Sequence, residues 1–249
     1  MAILVYHMVD DRWSLGVTRV APRLFAKQVD TLLQHGFRFL TVSDYLAAPI
    51  DHAVALTFDD GYESVFHNAL PLLIRKRIPA TVFINPGYVG QWNTWDVNLA
   101  WRRFRLMDWR QIETAAQQGW EIGLHGLSHK DLSRLTETQL ADEIGLAQRL
   151  LQSRLGRSSR VISYPFGNTH ARVVSVCREY GIVAGLTMSR KPKSLPASFT
   201  LRRSGIYPFD SLRSLHRKAA GRGSLAIQRL MDICSDAGVW VKYHHWHLD

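Results

Sequence analysis

Cysteine is nearly absent from this 249-residue sequence, with only Cys177 and Cys234 present. Two such residues exclude a disulfide framework and a cysteine-built metal cluster. Each falls in a helix-like stretch and reads as a buried, inert thiol. The count suits a reducing compartment. Long apolar runs are also missing, and nothing approaches the ~20 residues that span a bilayer. The chain opens MAILVYH, straight into strand-like text with no charged and apolar leader before it, so a cytoplasmic protein is expected. Acidic residues are scarce, 21 against 31 basic ones, for a formal net charge of +10. No internal repeat, low-complexity segment or nucleic-acid-binding motif is visible. Charge alone would then have to argue for nucleic acid, and that partner is set aside.

What is present describes a globular enzyme-sized chain. Hydrophobic residues make up 46% and charged residues 21%, and a chain of this length buries a large core without staples. Basic residues gather at Arg102, Arg103 and Arg105, at Arg157 and Arg160, at Arg190–Lys193, and from Arg202 to Arg222. They read as a solvated face, or as attraction towards a phosphate-bearing substrate or an anionic lipid surface. Peripheral membrane contact belongs to the second reading. The pattern sets no oligomeric state.

Strand-like and helix-like stretches alternate. Strands are predicted at Ile3–Tyr6, Phe37–Val42, Ala53–Phe58, Ala80–Ile84, Trp120–Leu124, Val161–Tyr164, Val183–Thr187 and Gly205–Tyr207. Helices are predicted at Pro22–Gly36, from Ser43, at Ser64–Lys76, from Asp108 to Gly119, at Glu137–Leu155, at Ala171–Tyr180, at Ser211–Ala220 and at Ser224–Asp236. Sustained β-then-α alternation implies a parallel sheet, and about seven units in one domain favour closure into a distorted (β/α) barrel. Residues 1–220 are assigned to the barrel. Residues 221–249, with VWVKY and the late His244, His245 and His247, form an extension docked on it or used in an interface.

Chemically suggestive residues follow the strands, where a barrel carries its catalytic face. In Thr57-Phe58-Asp59-Asp60-Gly61, two carboxylates sit side by side before a glycine turn. Two like charges so close call for a cation between them or a retained proton, although Asp-Asp-Gly is also a common surface turn. In His125-Gly126-Leu127-Ser128-His129, two imidazoles four apart can converge on one ion. One carboxylate and two imidazoles leave open positions for water and substrate, and the other carboxylate remains as a general base. Imidazole suits Zn²⁺, with Co²⁺, Ni²⁺ or Fe²⁺ as further choices. In Ser163-Tyr164-Pro165-Phe166-Gly167, a Pro-aromatic-Gly turn offers backbone N–H groups to an oxyanion, or is a plain turn. His7, Tyr164 and Trp95 are the candidate substrate contacts. Trp92, Trp95 and Trp101 read either as a sugar-stacking platform or as packing of one long loop from Asn85 to about Leu106.

The order TFDDG, HGLSH, SYPFG resembles the polysaccharide deacetylase family, the carbohydrate esterases that share the nodulation-type chitooligosaccharide deacetylase domain. VYHMV, FAKQVDTLLQHGFRFLTVSDYL, ATVFINPGYVG, LMDW, GWEIGLHGLSH and the late LRR extend the likeness over roughly residues 3–220. The resemblance implies a metal-dependent deacetylase that acts on an N-acetylated sugar or glycan precursor. It assigns Asp59 as base, Asp60, His125 and His129 as metal ligands, and Phe166 as the residue whose N–H supports the oxyanion. Three positions depart from the pattern. Gly126 stands where many members have Ser or Thr. Ser163 stands where many carry an Arg that orients the base. The late Leu-x-His motif, which supplies a general acid, has no clear counterpart, and His216 is the nearest histidine. The alternatives are hydrolysis of an O-acetyl or formyl group on a lipid- or nucleotide-linked sugar, and a glycan-binding module without turnover.

Overall fold

The computed structural model describes residues 2–12, 18–95, 103–188 and 194–222. Trp101, the predicted helix Ser224–Asp236, VWVKY, Cys234 and the late histidines lie outside these residues. So does nearly all of the proposed extension.

Seven strands close a parallel barrel. They are β1 (Ala2–Tyr6), β5 (Ala53–Phe58), β6 (Thr81–Ile84), β7 (Glu121–Leu124), β8 (Val161–Ser163), β9 (Ala184–Thr187) and β10 (Leu201–Gly205). The ring runs β1-β10-β9-β8-β7-β6-β5 and returns to β1, where Ala2↔Val54 through Tyr6↔Phe58 pair in register. Distortion enters at β4 (Arg38–Leu40), which pairs with the first half of β5 while β6 pairs with its last residues. One edge of β5 thus serves two strands. A short parallel pair, β2 (Met8–Val9) with β3 (Arg19–Val20), lies outside the barrel.

The helices wrap the outside because their apolar stripes have the sheet to cover. In α1 (Pro22–Gln34), Pro22 begins the helix and Phe25, Val29 and Leu32 are buried at helical spacing. Tyr6 and Phe58 meet the ring of Phe25, and Phe58 stacks on Trp120 at 5.3 Å. Asp108 caps α4 (Trp109–Gln117), as its position before the apolar pattern predicts, and forms a capping box with Gln111. The long helix after residue 136 departs from regularity. It runs as α5 (Glu137–Ala141), a wide π-turn over Asp142–Leu146, and α6 (Ala147–Leu155) ended by left-handed Gly156. Around it sit α2 (Val42–Ala47), α3 (Leu70–Arg75), α7 (Ala171–Glu179) and α8 (Leu212–Ala219). Cys177 is buried in α7, and burial pushes its thiol up to about 12. Among the described residues no helix is long and apolar enough to cross a membrane.

Inside the barrel the layers differ in chemistry. At the floor, Glu121 accepts hydrogen bonds from Thr81 Oγ1 at 2.8 Å, from the Ser43 amide at 3.2 Å and from the Ser43 hydroxyl. Above it Ile3, Val42, Ala55, Phe83, Val161, Ala184 and Leu186 pack into one apolar plug. Gly123 admits the ring of Phe83, since a Cβ there would lie 2.3 Å from Phe83 Cδ1. Above the plug the lining turns polar, at the ends of β5, β7, β8 and β10.

Gly123→Ala should therefore overpack the plug and cost about 1–3 kcal/mol. The urea midpoint reads this, and Phe83→Leu in the same chain should recover part of the loss.

Candidate active site

Asp59 and Asp60 follow β5 directly and are buried, with 3% and 7% of their surface exposed. Asp60 adopts a left-handed backbone (φ +68). Five non-glycine residues do so among the described residues: His52, Asp60, Arg77, His129 and Phe166. Three of them are candidate site residues. Such a conformation costs about 1–3 kcal/mol each and persists where the surroundings over-determine it.

The two carboxylates have different partners. Asp59 holds a bidentate ion pair with Arg203, Nη1 to Oδ1 and Nη2 to Oδ2, both at 2.7 Å. Ser163 Oγ donates to Asp59 Oδ2 at 3.2 Å and accepts from Arg203 Nη2 at 2.8 Å. Burial works to raise the Asp59 carboxyl, but Arg203, with His125 and His7, outweighs it and holds the group below its usual range. Asp60 instead faces imidazoles. Its Oδ1 lies 3.4 Å from His125 Nε2 and 3.2 Å from His129 Nε2, and is buried with no well-formed hydrogen bond among the described residues.

His125 Nδ1 lies 2.7 Å from the Ser163 carbonyl. A carbonyl only accepts, so Nδ1 carries a proton, and Nε2 is the nitrogen left to serve an ion beside Asp60. One ligand atom from each of Asp60, His125 and His129 falls within 4.8 Å of the others. Burial opposes charge on both Asp60 and His125. The imidazoles nonetheless hold Asp60 well below its usual range, and Asp59, Asp60 and the Ser163 carbonyl raise His125. A buried carboxylate ringed by imidazole nitrogens calls for a positive charge at its centre. The residues present fit a divalent cation with open positions for water and substrate.

Neighbouring loops hold this set. The Asn85 side chain donates to the His125 carbonyl, and the His125 amide donates to Ile84. Asn168, just past the Pro-Phe-Gly turn, donates to Asp131, just past His129, at 3.1 Å. That bond ties the histidine loop to the loop of Phe166. The Trp95 ring stacks on His129 at 5.0 Å, and the Phe166 ring meets His129 edge-on at 5.0 Å. Trp95 thus walls the candidate ligand set on the side of His129, whereas Trp92 is 47% exposed beside the Arg105 guanidinium. His7 follows β1, in the register that places Tyr6 beside Phe58, next to Asp59.

Four expectations need correction. Tyr164 does not line the mouth. It is 1% exposed, its hydroxyl donates to the Phe199 carbonyl, and it fills the space that Gly185 leaves open. The last strand is Leu201–Gly205 and not Gly205–Tyr207. Arg203 therefore points into the barrel and is 1% exposed, although the run Arg202–Arg222 reads as a solvated face. It also supplies the guanidinium that Ser163 seemed to forfeit, and the small Ser163 leaves it room. Lys218 of the same run is buried too, paired with Asp210 at 2.6 Å. His216 packs against His35 and Phe37, at the end of α1 and before β4. That is the floor end of the barrel, away from Asp59. Arg203 was legible only as the LRR text. Two arginines do not read as a buried strand until a buried carboxylate is known to face them.

The sequence model of the family described as polysaccharide deacetylase matches residues 47–185. The poly-beta-1,6-N-acetyl-D-glucosamine N-deacetylase of Staphylococcus aureus is 26% identical over 186 residues, 69% of this chain and 62% of that protein. The chain therefore spans less than two thirds of the length of that relative. The structure of IcaB from Ammonifex degensii superposes with a TM-score of 0.71 at 26% identity, covering 90% of this chain and 97% of that one. The Streptococcus pyogenes deacetylase PplD, in complex with acetate, shares the fold with a TM-score of 0.75 at 21% identity, over 88% and 97% of the two chains.

Removing one member of the Asp59–Arg203 pair strands a buried charge, which costs about 3–5 kcal/mol. Arg203→Gln should lose stability on that scale in chemical denaturation. The double variant Asp59→Asn/Arg203→Gln should lose less than the single one.

Proposed function

The chain belongs to the polysaccharide deacetylase family, and on that premise we propose that it hydrolyses the N-acetyl group of a glycan to acetate and a free amine. The observation that carries the reading is the division of labour between adjacent carboxylates. One is ion-paired and kept as a carboxylate, and the other is set among two imidazoles. The S. aureus relative, named for N-deacetylation of a β-1,6-linked N-acetylglucosamine polymer, supports an N-acetyl over an O-acetyl or formyl group.

Asp60, His125 and His129 would hold the ion. When bound there, a divalent cation supplies a Lewis acid for the acyl oxygen and an acidified water. Zn²⁺ suits this donor set, with Co²⁺, Ni²⁺ or Fe²⁺ as alternatives. Asp59 takes the proton of the attacking water, and Arg203 fixes the direction of its oxygens. The Phe166 amide, in its left-handed turn, donates to the developing oxyanion. Trp95 offers a wall to the sugar ring. His7 contacts the substrate beside Asp59. A glycan-binding module without turnover is less well supported, because Arg203 supplies the orienting cation that a disabled site would lack. The charge of +10 supports an anionic, phosphate-bearing form of the glycan. Faster turnover of phosphate-free chitooligosaccharides at physiological salt would sink that last point.

Acetate release from N-acetylated and O-acetylated sugars, by protein stripped of metal and resupplied with Zn²⁺, Co²⁺ or Ni²⁺, tests the activity. Release should vanish on stripping, return with metal and favour N-acetyl substrates. No release with any metal, despite measured metal binding, would count against hydrolysis. Asp59→Asn should keep its metal and lose most turnover, and metal loss in that variant would mean that the two aspartates have opposite roles. His125→Ala should lose both. His7→Asn should lower kcat without changing metal affinity.

A further inference from the structure

Glu143 is 3% exposed, lies outside all three sequence motifs and has no part in the chemistry above. It belongs to the wide turn Asp142–Leu146 between α5 and α6. A π-turn adds one residue to a helix and is frequent at functional sites, because the insertion re-aims a side chain. Gly145 of the same turn lies against the Tyr180 ring, where a Cβ would come within 2.7 Å.

The Glu143 carboxylate reaches the loop between the two histidines. The Leu127 and Ser128 amides both donate to Oε2 at 2.9 Å, and the Ser128 hydroxyl donates to Oε1. Lys130 Nζ stands 3.5 Å from Oε1. Consecutive amides converging on one anion form a nest, which needs a left-handed residue, and Gly126 has φ +72. A Cβ on Gly126 would sit 3.2 Å from Glu143 Oε2. The carboxylate thus occupies the space that a Ser or Thr side chain would need. His129, next along the loop, is itself left-handed at φ +56.

We propose that Glu143 is a positioning residue for the metal site, holding the Gly126–Ser128 turn so that His129 is presented to the ion in its strained conformation. The inference rests on the reading of Asp60, His125 and His129 as ligands. Gly126 and Glu143 then act as one unit, with the glycine giving the turn its hand and the carboxylate filling it.

Zn²⁺ affinity of the full chain, measured by competition with a chromophoric chelator, tests this together with far-UV circular dichroism. Glu143→Ala should bind Zn²⁺ about 10–100-fold more weakly, the usual effect of removing a group that orients a ligand. Its acetate release should recover in part as Zn²⁺ is raised. Glu143→Gln keeps an oxygen for both amides and an NH2 group for the Ser128 hydroxyl, so it should bind close to wild type. Gly126→Ala, which crowds the carboxylate, should weaken Zn²⁺ in the same direction. A folded Glu143→Ala chain with wild-type Zn²⁺ affinity overturns the proposal. So does a Glu143→Gln chain as weak as Glu143→Ala. If Glu143→Ala does not fold, a soluble Gly126→Ala chain with unchanged affinity overturns it. Zn²⁺ affinity that depends on Glu143 in a chain releasing no acetate would support the positioning role and count only against the proposed activity.

Discussion

Two carboxylates adjacent in sequence are buried at one end of a barrel, and most of the upper barrel is arranged around that fact. Side by side, Asp59 and Asp60 would repel each other and resist ionisation. The backbone separates them. A left-handed turn at Asp60 sends it towards His125 and His129, while Asp59 meets Arg203. The first environment gathers a carboxylate and two imidazoles whose ligand atoms lie within 4.8 Å of one another, a set that suits a cation. The second contains a permanent cation that stays charged at any ordinary pH. The same residue type twice in succession is thereby given two chemistries, by what each copy faces.

The barrel supplies the places from which those partners come. Asp59 follows β5, His125 follows β7, Ser163 ends β8 and Arg203 lies on β10, so four strands converge on a small polar volume above the apolar plug. Ser163 links the two halves. Its hydroxyl bridges Asp59 and Arg203, and its carbonyl accepts from His125. The loops above are tied to one another through Asn85, Asp131–Asn168 and Glu143. Those ties hold His129 and Phe166 in left-handed conformations that a freer loop would leave.

Much of this was legible along the chain. Alternating strand and helix patterns gave the parallel barrel, because burial on both faces demands apolar strands and covering helices. Asp-Asp-Gly after an apolar strand and two histidines four apart proposed a metal site from residue chemistry alone. The family resemblance divided the roles between the two aspartates. Misreadings fell where polar residues are buried. Tyr164 was a candidate substrate contact, but its ring turns into the packing around Gly185. Arg203 and Lys218 looked solvated because isolated arginine and lysine side chains prefer water.

The sequence by itself determined the alternation of strands and helices and brought Asp59, Asp60, His125 and His129 forward as candidates, since each is a local pattern of side-chain type and spacing. Only the tertiary structure decided which cation serves Asp59, which carboxylate steadies the histidine loop and why Gly126 is glycine. Those depend on contacts between residues 144 apart, for Asp59 and Arg203, and 15 apart, for Ser128 and Glu143. A buried charge is tolerated only when its partner arrives through the fold. No local pattern around Arg203 or Glu143 records the partner that waits on another strand or loop.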